Sequence, residues 1–190
     1  MKNILTLISV IFLVSCNAQE YPLTTDFRNI PNYSYLKDMN NELGDYSGNY
    51  QGQYNGNQIS LFITKEQHKL IDRGDQKFYR DVVSIRFIIR NPSQIILQDT
   101  QHMNFQSNQI QHTIYSTFVN PYHNLLMLSY GGTNCGVGWG SIRLKKINNT
   151  QLSWEYIPNS TIIDSSKCPP GTDTTIYLPE TKDLIFTKQQ

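Results

Sequence analysis

Charge of either sign, long apolar runs and cysteine are all scarce in this chain, and each shortage removes a class of function. Only 16% of the residues are charged, with 16 Lys and Arg against 15 Asp and Glu. Without a run of Lys or Arg there is no electrostatic footprint for nucleic acid or for an anionic membrane face. Beyond the first 14 residues no apolar run approaches the ~18 needed to cross a bilayer as a helix. The four His and the scattered acids show no H-x-x-x-H or C-x-x-C spacing, so no metal site and no cofactor is expected. Also missing are Gly-Lys-Ser/Thr and G-x-S-x-G, and with them phosphate-loop and hydrolase readings.

What is present starts with a leader. Lys2 is a short basic flank, Ile4 to Val14 an apolar core, and Leu13-Val14-Ser15-Cys16 the end of the run. The run is short, with a cation before it and a small residue before the cut, which marks a signal peptide over residues 1–15 rather than a spanning helix. Its ending resembles the lipobox of bacterial lipoproteins, which implies lipidation of Cys16 by diacylglyceryl and N-acyl chains of the palmitate type. Two or three such chains give stable membrane anchoring without a spanning segment. Ordinary secretion with a chance cysteine is the alternative. Asn17 rather than Asp follows Cys16, which under the sorting rule of enteric bacteria favours the outer membrane within the cell envelope. Removing residues 1–15 takes Lys2 and no acid, leaving a formally neutral body of 175 residues, the size of one domain.

With Cys16 lipidated, Cys135 and Cys168 are the remaining pair, and in an oxidising compartment they are expected to form a disulfide. Cys135 sits in Gly131-Gly132-Thr133-Asn134-Cys135-Gly136-Val137-Gly138-Trp139-Gly140, a stretch of five glycines in which Gly136, Gly138 and Gly140 are spaced G-x-G-x-G, the pattern of neither nucleotide-binding loop. No helix pattern follows whose N-terminus could meet a phosphate. Cys135-Gly136-Val137-Gly138-Trp139 also resembles the Cys-Gly-Ser-Cys-Trp run of papain-like proteases, but Gly138 stands at the nucleophile position. A free Cys135 activated by one of the histidines is the alternative to the disulfide.

Residues 16–30 read as a tether. Leu36, Met39 and Leu43 recur at helical spacing between Pro31 and Gly44, predicting one short helix that lids a barrel end within a single domain over 31–190. From Tyr46 the period becomes 2. Asn55-Gly56 marks a type I′ hairpin, Ile59, Leu61 and Ile63 alternate, and Val83, Ile85, Phe87 and Ile89 face away from Ser84, Arg86 and Arg90. Further strands are expected at Ile95 to Asp99, Asn104 to Gln106, Ile110 to Val119, Leu125 to Tyr130, Ser141 to Ile147, Leu152 to Tyr156, Thr175 to Leu178 and Leu184 to Lys188. The fold class is therefore all-β, an antiparallel meander closed as a lipocalin-like barrel, with a β-sandwich as the alternative because of the loop from Pro158 to Asp173.

The glycine stretch, Trp154-Glu155-Tyr156, Cys168-Pro169-Pro170-Gly171-Thr172-Asp173 and Leu184-Ile185-Phe186-Thr187-Lys188 resemble an uncharacterised lipoprotein family of the phylum Bacteroidota, labelled as a domain of unknown function. The resemblance covers nearly the whole mature chain, and it implies an envelope lipoprotein without assigning an activity. No catalytic residues are recognised, and His112 and His123 read as surface histidines. Two functions remain. One is a binding module for a small apolar or glycan ligand, with Tyr130, Trp139, Trp154 and Tyr156 as candidate contacts, although aromatics on strands are more often core. The other is a structural or interaction component that binds an envelope protein without a small ligand.

Overall fold

The computed structural model describes residues 19–106, 108–164, 166 and 168–190; the leader and Cys16 lie outside the described residues. Among the described residues there are eleven strands: β1 Glu20–Pro22, β2 Tyr35–Lys37, β3 Gly48–Tyr54, β4 Asn57–Asp72, β5 Lys77–Arg90, β6 Ile96–Asp99, β7 Ile114–Asn120, β8 Leu125–Tyr130, β9 Gly140–Lys146, β10 Gln151–Pro158 and β11 Leu184–Lys188. Eight of them run β5-β4-β3-β11-β10-β9-β8-β7, and β7 pairs back onto β5 to close an antiparallel barrel. That closure, with β11 antiparallel to β3, rules out the sandwich, because each barrel strand has a neighbour on both sides.

Local chemistry explains the meander. Asn55 and Gly56 both adopt positive φ, 49° and 80°, as the tight turn between β3 and β4 requires. Ile59, Leu61 and Ile63 on β4, and Val83, Ile85, Phe87 and Ile89 on β5, are all buried, at every second position. Inside the barrel they meet Tyr50, Tyr130, Trp154, Tyr156 and Phe186, each almost wholly buried. Trp154 packs on Phe186 with ring centres 5.7 Å apart, and Tyr130 meets Tyr156 edge-on at 5.8 Å. At roughly 1.5 to 3 kcal/mol per large buried side chain, this aromatic filling is the main stabilising element of the barrel.

The turns after β4, β7 and β9 define one end, here the hairpin end; Gly131–Gly140 lies at the other, the glycine end. The hairpin end is closed, but not by a helix. Tyr35–Lys37 forms β2, parallel to β5 with Tyr35 opposite Tyr79, and Gly44–Tyr46 is a single 3-10 turn. Leu36 and Leu43 are buried while Met39 between them is exposed, so the predicted stripe is split. The reason is Asp38, whose buried carboxylate accepts from the backbone N–H of Glu42 at 2.7 Å and Leu43 at 3.1 Å, offering those donors a partner other than a helix carbonyl. The expected tether is corrected too. Glu20–Pro22 pairs with β2, Leu23 and Ile30 are buried, and Phe27 stacks on Phe78 at 5.6 Å, so the body begins at β1.

Asp81 on β5 joins these parts. Its buried carboxylate accepts from Tyr35 Oη at 2.5 Å and from the N–H groups of Asp38 and His68, both at 3.0 Å. Burial alone would raise its pKa, but the donors from Tyr35, Asp38 and His68 and the nearby Lys65 charge outweigh it and hold the carboxyl below its ordinary value. Lys65 itself is tied to Asp38 at 2.6 Å.

Two expected strands are absent: Asn104 to Gln106 and Thr175 to Leu178 take no part in the sheet. β7 starts at Ile114 rather than Ile110, because His112 takes a left-handed φ of 64° and breaks the ladder.

Asp81→Ala is expected to lower stability by about 3 kcal/mol in urea denaturation, since it strands three buried donors. Because the folded pKa of Asp81 is depressed, its contribution is present above the unfolded value near 3.9 and is lost as pH falls through the folded one. Asp81→Asn should therefore flatten the acid side of a Tm-against-pH curve.

Candidate functional site

At the glycine end β8 stops at Tyr130 and the chain turns tightly before β9. Thr133 N–H donates to Val137 O at 2.8 Å, and Gly132 sits at φ 83°, where an added Cβ would lie 2.5 Å from Gly136 O. Cys135, itself at φ 59°, is bonded to Cys168, 33 positions further along the chain, with Cα atoms 5.5 Å apart. The nucleophile reading of Cys135 therefore falls, because its sulfur is already consumed. Gly138 is so tightly enclosed that a Cβ would lie 2.7 Å from Ile176 Cδ1, in the segment between β10 and β11, and 3.0 Å from Tyr156 Oη on β10, which donates to Gly138 O.

His112 is not a surface residue as its strand pattern suggests; it is 6% exposed and fastens this end. Its Nδ1 lies 3.1 Å from Gln98 Nε2 and its Nε2 donates to Asn134 Oδ1 at 3.0 Å. Asn134 Nδ2 in turn donates to Asp173 O at 2.8 Å, so β6, the turn before β7, the glycine stretch and the Cys168 loop are linked. His102 Nδ1 is hydrogen-bonded to the Asp99 carboxylate at 2.7 Å on an exposed turn, a local contact between near neighbours in sequence.

The four aromatics proposed as ligand contacts do not converge. Tyr130, Trp154 and Tyr156 are barrel core, Trp154 spending its indole N–H on Pro179 O at 3.1 Å. Trp139 stands apart on the outer surface at the glycine end, 49% exposed.

The open site lies elsewhere, in the wall. β5 and β7 share one register pair, Ser84 with Tyr115, and β4 bulges between Glu66 and Lys69, so the wall parts at this seam. The segment leading into β7 crosses outside it. Together they shape a groove of about 790 Å³ open to solvent, lined in part by Glu66, Lys69, Ser84, Arg86, Phe105 and Tyr115. Glu66 accepts from Ser84 Oγ at 2.7 Å and from Lys69 Nζ at 3.0 Å. Lys69 Nζ lies 5.9 Å from the Tyr115 ring centre, and the Arg86 guanidinium lies 3.6 Å from that of Phe105. Arg86 also donates to the carbonyls of Thr100 and Met103, and burial pulls its pKa below the ordinary value, partly offset by Glu66. Amides of Gln106, Asn108 and Gln109 complete the polar wall. Chemically the groove can hydrogen-bond a polyhydroxylated molecule and stack against a ring. Of these residues Ser84 and Arg86 are legible in the sequence, as outward positions of an alternating strand, while Tyr115 only falls within the expected strand from Ile110 to Val119.

No family model, curated protein or solved structure matches this chain. The functional argument therefore rests on the geometry.

Removing the disulfide by Cys135→Ser with Cys168→Ser should cost roughly 3 to 4 kcal/mol through the freed loop, lowering Tm by about 10 °C in differential scanning calorimetry.

Proposed function

We propose that this protein is an envelope lipoprotein, anchored through Cys16, whose barrel is a binding module for a polar ligand, an oligosaccharide, held in the wall groove. The observation that carries the reading is the contrast between a barrel interior filled by side chains and a wall groove of about 790 Å³ lined by hydrogen-bonding groups around Phe105 and Tyr115. An apolar ligand would need an apolar cavity, and the interior space is taken by Trp154, Phe87 and Phe186. A glycan instead uses what the groove offers. The Glu66 carboxylate accepts from hydroxyls, Lys69 and Arg86 donate, the amides do both, and an aromatic ring carries the apolar face of a sugar. Three cations, Lys65, Lys69 and Arg86, line the groove with two carboxylates, Glu66 and Asp72, a balance that suits a neutral or mildly acidic glycan.

Titration of the purified protein against a panel of envelope and host oligosaccharides by calorimetry tests the reading. Tyr115→Ala should weaken binding about tenfold, the equivalent of roughly 1.4 kcal/mol, measured well below the variant's own Tm because Tyr115 also packs against the core, and Tyr115→Phe, which keeps the ring, should retain most of the binding. Binding that Tyr115→Ala leaves unchanged, or no binding across the panel together with a crosslinked envelope protein on this wall, replaces the module by an interaction component. The anchor is checked separately: Cys16→Ala should move the protein from the membrane to the soluble fraction of its native host.

A further inference from the structure

The chain leaves almost no slack between its proposed anchor and its folded body. Gln19 O already accepts from Tyr35 N–H at 2.9 Å, and only Asn17 and Ala18 separate Cys16 from Gln19. Three residue steps reach at most about 11 Å even when fully extended. The headgroup layer beyond the hydrocarbon is itself roughly 5 to 7 Å deep on each side. If Cys16 carries its acyl chains in the bilayer, the edge formed by β1 and β2 is held at the membrane surface.

That edge presents one available face. Across it Glu20 lies opposite Tyr35, Tyr35 opposite Tyr79, and Tyr79 opposite Leu70. At ~4.8 Å per strand the row spans about 14 Å, comparable to the reach of the tether. His68 is stacked on Tyr79 at 4.0 Å and meets Tyr35 edge-on at 4.6 Å, while Tyr33, 55% exposed, is hydrogen-bonded through its N–H to Lys77 O beside them. The alternate positions on these strands, Leu36, Phe78 and Arg80, are buried and unavailable. Charge on the exposed face is matched, Lys37 with Glu20 at 3.0 Å and Lys77 with Asp72 at 2.8 Å. Tyr35 spends its hydroxyl on Asp81 and contributes its ring, while the hydroxyls of Tyr33 and Tyr79, the His68 imidazole and the balanced ion pairs suit the headgroup layer, where tyrosine is enriched, rather than the hydrocarbon.

We infer that the face formed by Tyr33, Tyr35, His68 and Tyr79 rests against the headgroup layer of the membrane that holds Cys16, so that the hairpin end points at the bilayer and the glycine end points away. The inference rests on the anchor reading and adds an orientation to it. It fixes which parts of the molecule a soluble partner can approach.

The test uses the full, lipidated chain in native membranes, with p-benzoylphenylalanine placed at an exposed aromatic of either end. Tyr33→p-benzoylphenylalanine should yield phospholipid adducts on irradiation, read by mass spectrometry, and Trp139→p-benzoylphenylalanine at the glycine end should yield none. Equal yields, or adducts at position 139 alone, overturn the orientation while membrane fractionation still supports the anchor. A protein that fractionates as soluble overturns both. Amide exchange on the unsubstituted protein gives an independent readout: residues 66–80 should be protected in membranes relative to detergent, and the glycine stretch should not.

Discussion

β5 is longer than the barrel wall it completes, and its second edge is the constraint around which the molecule is arranged. Along one edge it pairs with β4 for nearly its whole length, but along the other β7 supplies a single register pair at Ser84. Buried backbone groups left without partners are costly, so the remaining edge must be satisfied by other parts of the chain. Tyr79 N–H finds Ser34 O at 2.8 Å, Val83 N–H finds Ser116 Oγ at 2.9 Å, and Phe87 N–H finds Thr100 Oγ1 at 2.7 Å. β2 and β6 are the two short strands that this arrangement recruits, one at each end of β5. The N-terminal segment, the β6 segment and the barrel closure thus answer one requirement.

The same constraint places both the polar layer and the groove. Where β5 outruns β7 at the hairpin end, Asp81 turns from core-forming positions to a buried cluster with Tyr35, Asp38 and Lys65, and each carboxylate there has its donors. Arg80 beside it is buried against Leu23 O at 3.2 Å, and desolvation brings its pKa down to about 10 although Asp81 pulls the other way. It stays charged at neutral pH and fastens the N-terminal segment. Where β7 and β5 barely meet, the outer wall opens, and polar side chains that would otherwise be solvated singly are gathered around Phe105 and Tyr115. A filled interior and an open wall are two consequences of one closure.

The two ends then differ in kind. The glycine end is held by the Cys135–Cys168 bond, by His112 between Gln98 and Asn134, and by glycines whose missing Cβ atoms let chains approach within van der Waals distance. The hairpin end is held by buried charge and aromatic stacking close to the first described residues. A covalently tied end thus stands opposite an aromatic end that lies near the first described residues.

Alternation at Ile59 to Ile63 and Val83 to Ile89, the Asn55-Gly56 turn, the strands Leu125 to Tyr130 and Leu184 to Lys188, and the Cys135–Cys168 pair were all legible in the residues. Each is governed by neighbours within a few positions, or, for the cysteines, by having no other partner. The fate of Leu36 to Leu43 was not legible, because a helical spacing there competes with a distant strand edge and with Asp38 and Asp81, none of which a short window contains. Nor was the burial of His112, set by a backbone kink and by partners from β6 and the glycine stretch, or the groove, assembled from β4, β5, β7 and the segment before it. Residue order by itself determined an antiparallel meander of paired strands with one clasp; tertiary structure decided that it closes as a barrel rather than a sandwich and which edges meet, since satisfying a backbone edge is a long-range demand that leaves no periodic trace in the chain.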